Sequence, residues 1–169
     1  MRPGESAENP IVRPTARVLL LDDRDRTLLF TVEEPDQETG KRFWFPPGGG
    51  VEPGETHGEA ARRELLEETG IDHDPGPCIW VRDPILWYFR PQETWYRTAE
   101  RYYLVRVEQP EVTVDGWTEL EMQMISRFKW WSLEDMVTSD DLFVPRRLAE
   151  LLPPILAGQV PSEPINVGV

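Results

Sequence analysis

Apolar residues along the chain fall into short runs separated by polar, glycine-rich or proline-rich breaks. ARVLLLD (16–22) and TLLFTVE (27–33) predict two strands around the turn DRDR. RFWFP (42–46) predicts a short aromatic strand that Pro46 and Pro47 stop. CIWVRDPILWYFR (78–90) and AERYYLVRVE (99–108) predict two longer strands, with the tip PQETWYRT (91–98) between them. DGWTELEMQMIS (115–126) reads as a loop or a short helical piece, and RFKWWS (127–132) as a late strand. SLEDMV (132–137) and PRRLAELL (145–152) predict two short helices, the second ended by Pro153 and Pro154. PDQETGK (35–41) reads as a polar loop, and the tail QVPSEPINVGV has no periodic signal. Strands outnumber helices, and the helices fall between and after them. That order predicts an α/β fold, a mixed sheet with helices packed on its faces.

One further helix is specified at both ends. Thr56 is a good N-cap and Glu59 follows three residues later, which makes a capping box. Gly70 suits the left-handed position that ends a helix, and Ile71 can make the contact that follows it. The helix is therefore expected over 57–69. Ala61 and Leu65, four apart, give it an apolar stripe for the sheet. Glu64, Glu67 and Glu68 stand at i, i+3 and i+4 on another face, with no lysine between them.

Three glutamates so placed repel one another, and the last two stand where the helix dipole disfavours negative charge. A solvated acidic face would account for the charges alone. The preceding loop, FPPGGGVEPGE, adds a second signal: consecutive glycines let backbone groups approach an ion or a phosphate closely. Hard oxygen ligands of this kind suit Mg²⁺, Mn²⁺ or Ca²⁺.

At 169 residues the chain is read as one domain, with a flexible leader (1–12), a body (13–158) and a tail (159–169). Its 31 acidic against 18 basic residues give a net charge of −13, which argues against a nucleic-acid or anionic-membrane surface. A lone cysteine, Cys78, excludes an internal disulfide and fits the cytoplasm. No run approaches the length of a membrane span, and MRPGESAENP lacks the apolar core of a signal peptide.

The segment from Gly49 to Ile71 resembles the Nudix box, G-x5-E-x7-R-E-U-x-E-E-x-G-U with U aliphatic. Gly49, Glu55, Arg63, Glu64, Leu65, Glu67, Glu68, Gly70 and Ile71 fill every specified position at the required spacing. The resemblance implies an α/β/α sandwich and Mg²⁺- or Mn²⁺-dependent hydrolysis of a nucleoside diphosphate linked to a group X. It implies that Glu64, Glu67 and Glu68 bind metal, that the Gly49 carbonyl adds a ligand, that Arg63 orients the glutamates, and that Glu55 holds Arg63 and the loop. It also implies a further carboxylate outside the box, as metal ligand or general base. Glu119 and Glu121 are the candidates. Glu121 is preferred because Leu120 and Met122 beside it would exclude water and raise its pKa. The alternative is a Nudix-like domain that binds metal or nucleotide without turnover, against which the complete set of carboxylates argues.

Clues to X are weaker. Trp87, Tyr88, Phe89, Trp95 and Tyr96 cluster on one expected hairpin, where aromatics serve as cross-strand pairs or core more often than as a base-stacking site. Trp44, before the glycine loop, reads as core. Arg17, Arg82, Arg90 and Arg101 lie on expected strands, and one or two of them could clamp a phosphate. The expected partner is a small nucleoside diphosphate derivative, and assembly as a homodimer is allowed.

Overall fold

A computed structural model describes residues 1–32, 38–108 and 110–168. Residues 33–37, which take in the end of the second expected strand and the start of the expected polar loop, lie outside the described residues.

The sheet is built on β1 (Ile11–Leu21), which pairs in parallel with β6 (Thr94–Arg106) along its whole length. β5 (Cys78–Phe89) pairs antiparallel with β6. On the other side stand β2 (Thr27–Val32), β3 (Phe43–Phe45), β7 (Ile125–Trp131) and β8 (Leu142–Phe143). The main path runs β8-β3-β2-β1-β6-β5 and ends on β9 (Ile165–Asn166), while β7 pairs with β2. The sheet is mixed: the β1–β6, β3–β8 and β5–β9 pairs are parallel and the rest antiparallel.

Alternation along β1 divides the core in two. Leu19 and Leu21 point to a face covered by α3 (Leu133–Thr138) and α4 (Leu148–Leu156), where Trp44, Trp131 and Leu152 are buried. Val18 and Leu20 point to the opposite face, against Ala61 and Leu65 of α1 (His57–Thr69). The result is the expected α/β/α sandwich. Leu65 is fully buried, and cutting it to alanine would cost about 2–5 kcal/mol.

α1 has the predicted bounds. Thr56 accepts from the Glu59 amide, Glu59 returns the bond to the cap, and Gly70 takes φ 75°. Elsewhere the boundaries differ. The glycine run expected as a loop forms β4 (Gly48–Gly50), antiparallel to β1. Only a residue without Cβ fits at Gly48: φ is 148°, and a Cβ would lie 2.8 Å from the Arg17 Cα. β1 begins at Ile11, inside the stretch read as a leader, because β6 extends far enough to pair with it. β6 in turn starts at Thr94, inside the expected tip. Trp87 pairs with Tyr96 and Tyr88 with Trp95 across the hairpin, leaving a short 3₁₀ turn at Arg90–Gln92. The segment 115–126 resolves into α2 (Glu119–Met124) with Thr118 as its N-cap.

Pro153 and Pro154 do not end α4, which continues to Leu156. The two prolines remove amide donors, but their own carbonyls accept from Ala157 and Gln159, and Leu152 and Ile155 are buried in the core. Burial outweighs the lost bonds. The tail also has a place: Ile165 and Asn166 pair with Trp80 and Val81, and Val167 is buried.

Candidate functional site

α1 lies across β1 and β4 and carries Glu64 and Glu68, four apart, toward the glycine strand. Both are buried, Glu64 at 8% exposure and Glu68 at 3%. α2 brings Glu121 to them from the other side, so that one ligand oxygen from each of Glu64, Glu68 and Glu121 lies within 4.8 Å of the others. Glu67 is not in this group. It is turned about 100° around the helix from Glu68, and its half-exposed carboxylate lies 3.2 Å from Arg63. Glu119 is exposed.

Each member is held by a specific contact. Glu68 Oε2 accepts from the Gly48 amide at 2.7 Å. Glu121 closes a capping box with Thr118: its Oε2 accepts from the Thr118 amide and hydroxyl at 2.7 and 2.9 Å. Of the expected apolar shelter around Glu121, Met122 turns outward at 61% exposure, while Leu120, at 36%, lines the cavity beside it. Arg63 donates two bonds to Glu55 at 2.8 and 2.9 Å, one to the Gly50 carbonyl at 3.0 Å, and others to Glu64 and Glu67. The Glu55 carboxylate raises the Arg63 pKa, and the same bonds pull the Glu55 carboxyl below its usual range. Gly49 stands against the Glu64 carboxylate with room for no side chain.

Charge is poorly balanced inside the cluster. Burial raises the Glu64 carboxyl, with Arg63 opposing and Glu67 and Glu121 adding to the rise. Burial pushes Glu68 well above the usual carboxylate range, and the Glu64 charge pushes it further. Buried carboxylates crowded in this way, with a cradle that a Cβ would fill, fit a divalent cation with hard oxygen preference. One oxygen from each of three carboxylates, all within 4.8 Å of one another, is a donor set of the kind such a cation takes.

The cluster opens on a cavity of about 670 Å³, whose wall includes Glu68, Glu121, Gly48 and Gly49. Its floor holds a buried polar network. Glu100 accepts from Arg17 at 3.1 Å, from Arg82 at 3.0 Å and from the Tyr102 hydroxyl at 2.6 Å. Burial alone would raise the Glu100 carboxyl, but the two guanidiniums and the hydroxyl hold it at about 2. Arg17 also donates to the carbonyls of Pro46 and Gly48, which ties this network to the glycine strand. Of the arginines singled out as phosphate clamps, Arg17 and Arg82 line the cavity; Arg90 and Arg101 do not.

Trp87 and Tyr96 stack at 5.2 Å with 27° between planes and line the cavity together with Phe89. Tyr88 and Trp95 pair on the opposite face. Trp44 belongs to the core, with its indole N–H on Asp141. Glu100, Arg13 and Arg146 are cavity residues that sequence reasoning missed. A glutamate at a buried position of β6, between Thr98 and Tyr102, was a usable signal for Glu100. For Arg13 and Arg146 there was none.

The NUDIX domain family model matches residues 12–152. An RNA pyrophosphohydrolase of Roseobacter denitrificans is 30% identical over 145 residues, covering 81% of this chain and 86% of that protein. An m7GpppN-mRNA hydrolase of Bos taurus is 29% identical over 119 residues, covering 66% of this chain and 39% of that protein. The chain spans only 39% and 49% of the length of two of the curated relatives it matches. Among solved structures, a C. elegans Ap4A hydrolase complex shares the fold at a TM-score of 0.59 and 22% identity, covering 86% of this chain and 98% of that one. With the complete pattern from Gly49 to Ile71 lying inside a match that runs from β1 into α4, the chain belongs to the NUDIX domain family.

Proposed function

We propose that the chain hydrolyses a diphosphate bond in a nucleoside diphosphate linked to a group X, with Mg²⁺ or Mn²⁺ held at Glu64, Glu68 and Glu121. The observation that carries this reading is the convergence of those three carboxylates within 4.8 Å on the wall of a 670 Å³ cavity. A divalent ion there would neutralise phosphate charge and acidify a bound water.

The chain's own residues do the rest. Arg63, anchored on Glu55 and the Gly50 carbonyl, fixes the Glu64 carboxylate and keeps Glu67 at the rim. Gly49 leaves the space that Glu64 occupies and has a carbonyl to offer as a further ligand. The Gly48 amide orients Glu68. Glu121, with Oε2 engaged by Thr118, keeps Oε1 to take a proton from the attacking water or to complete the ligand set. Arg17 and Arg82 present positive charge to the phosphates from the floor. This is phosphoryl chemistry by positioning and charge, with no covalent nucleophile.

The substrate in this reading is a small molecule rather than an extended nucleic acid, and the setting is cytoplasmic. No helix among the described residues is long and apolar enough to cross a membrane. The test is a substrate screen with Mg²⁺ or Mn²⁺ and product identification. It should include ADP-ribose, diadenosine tetraphosphate and a 5′-triphosphorylated RNA oligonucleotide, the last because relatives are named RNA pyrophosphohydrolases. Turnover that vanishes with EDTA and in Glu68→Gln is the expected result. Metal binding without turnover of any diphosphate would favour a binding domain.

A further inference from the structure

Two arginines on the cavity wall have no acidic partner among the described residues. Arg13, on β1, sits 5.7 Å from the centroid of the Tyr96 ring. Arg146, between β8 and α4, sits 4.7 Å from the centroid of the Phe43 ring. Both line the cavity that Glu68 and Glu121 enter. The other arginines nearby have acidic partners: Arg17 and Arg82 share Glu100, which offsets part of the charge they turn to the cavity, and Arg63 pairs with Glu55. In a chain of net charge −13, where acids outnumber bases, the cavity thus keeps two exposed guanidiniums that no carboxylate among the described residues neutralises.

The ring contacts explain why they stay available. A guanidinium resting on an aromatic ring is held through its face, which leaves its in-plane N–H groups to point away from the ring. The ring also narrows the freedom of a long side chain, so less is lost when an anion binds. Gly50 makes room for Arg13: a Cβ there would fall 2.6 Å from Arg13 Nε. The in-plane fork matches a pair of phosphate oxygens. Their ring partners, Phe43 on β3 and Tyr96 on β6, belong to the aromatic lining, not to the helices that carry the carboxylates. Arg13 reaches the cavity beside the glycine strand at Gly50 and Arg146 reaches it beside Phe43, so the two bring positive charge to different parts of one wall.

We propose that Arg13 and Arg146 determine specificity by gripping an anionic group additional to the scissile diphosphate, so that the preferred substrate carries three or more phosphates. The proposal rests on the diphosphate-hydrolase reading and deepens it. Arg13 and Arg146 are positioned to select among substrates, not to perform the reaction.

Two measurements on the full chain test it. The first needs no catalysis: in EDTA, inorganic tripolyphosphate should raise the melting temperature more than pyrophosphate does, and the Arg13→Ala/Arg146→Ala double variant should lose that difference. The second compares kcat/KM for adenosine tetraphosphate and ADP-ribose with Mg²⁺. The wild type should favour the tetraphosphate at least tenfold. Each single variant should lose roughly tenfold to a hundredfold on it, mainly through KM, with ADP-ribose nearly unchanged. Arg13→Lys should recover only part of the loss, since a lysine keeps the charge but not the fork. Equal losses on both substrates would mean that the arginines hold the diphosphate itself, and the proposal falls. Unchanged kinetics, or tripolyphosphate binding unaffected by the double variant, would also overturn it. If the wild type turned over neither substrate while the double variant lost tripolyphosphate binding, the hydrolase reading would fail and the anion site would stand.

Discussion

Gly49 and the Glu64 carboxylate are so close that a side chain on Gly49 would occupy the space of the carboxylate oxygens. Glu64 cannot simply swing away, because Arg63 holds its Oε1 at 2.8 Å and the residue is buried. Gly49→Ala is therefore expected to displace Glu64 rather than unfold the strand. Divalent-metal affinity should fall at least about tenfold, a cost of roughly 1.4 kcal/mol, while the melting temperature in EDTA moves by only a few degrees. A metal titration followed by thermal shift checks this; a variant that binds metal normally would show that Glu64 has room to adjust.

Glu68→Gln should separate folding from function in the opposite direction. The buried carboxylate is crowded by Glu64, and an amide oxygen can still accept from the Gly48 amide. Removing the charge should raise the metal-free melting temperature by about 2–4 °C, the equivalent of roughly 1 kcal/mol. The same variant should lose both the stabilisation by Mg²⁺ and the turnover. A lower metal-free melting temperature would mean that the carboxylate is better compensated than its surroundings indicate.

The part of the site legible in the sequence was the part encoded locally. Capping box, C-terminal glycine and carboxylate spacing all lie within one helix, and α1 has the bounds they imply. What escaped was set by distant strands. Glu67 shares a helix face with Glu64 by spacing, yet the sheet lies on the Glu64–Glu68 side and leaves Glu67 out of the cluster, while Glu121, expected only through the resemblance, stands with Glu64 and Glu68. Arg13 becomes a cavity residue only because β1 runs parallel to β6 and meets Tyr96. The tail is the same case: Ile165–Asn166 has no pattern of its own and is a strand only because β5 offers an edge.

That last point is testable. Val167 is buried in the core under α4, and its amide donates to the Val81 carbonyl at 2.9 Å. Deleting residues 159–169 should cost roughly 2–3 kcal/mol from lost apolar burial and uncovered backbone. Urea denaturation would show it. Unchanged stability would mean that β9 is an ornament of the edge.

Glu100 gives a pH prediction whose sign follows from its pKa. In the folded protein the carboxyl is held at about 2, below the ordinary 4.5. A depressed carboxylate stabilises the fold above its unfolded value, and that stabilisation is lost as pH falls from about 4.5 toward 2. The amount at stake is ~3 kcal/mol. Glu100→Gln would leave Arg17 and Arg82 with an uncompensated buried charge and should cost roughly 3–5 kcal/mol at neutral pH. The gap between wild type and variant should narrow as pH drops through that window, which denaturant titrations at several pH values would reveal. A constant gap would mean that hydrogen-bond geometry, not charge, is what Glu100 contributes.

Glu121 and Glu119 divide along the helix that carries them. Glu121 is half-buried and joins Glu64 and Glu68, whereas Glu119 is exposed at the first position of α2. Glutamine is as good as glutamate at the third position of a capping box, so Glu121→Gln should keep the Thr118 bonds and the fold. It removes only the charge and the ability to take a proton. The expected loss in kcat is about a hundredfold or more, the usual worth of a positioned base, while Glu119→Gln stays near wild type. Profiles of kcat against pH give the readout that a structural role would not move. If Glu121 takes the proton, its variant loses the acid limb. If it only holds metal, the limb survives and the metal requirement rises instead. Near-wild-type rates for both variants would mean that Glu64 and Glu68 suffice, and that the approach of Glu121 to them is a consequence of capping α2.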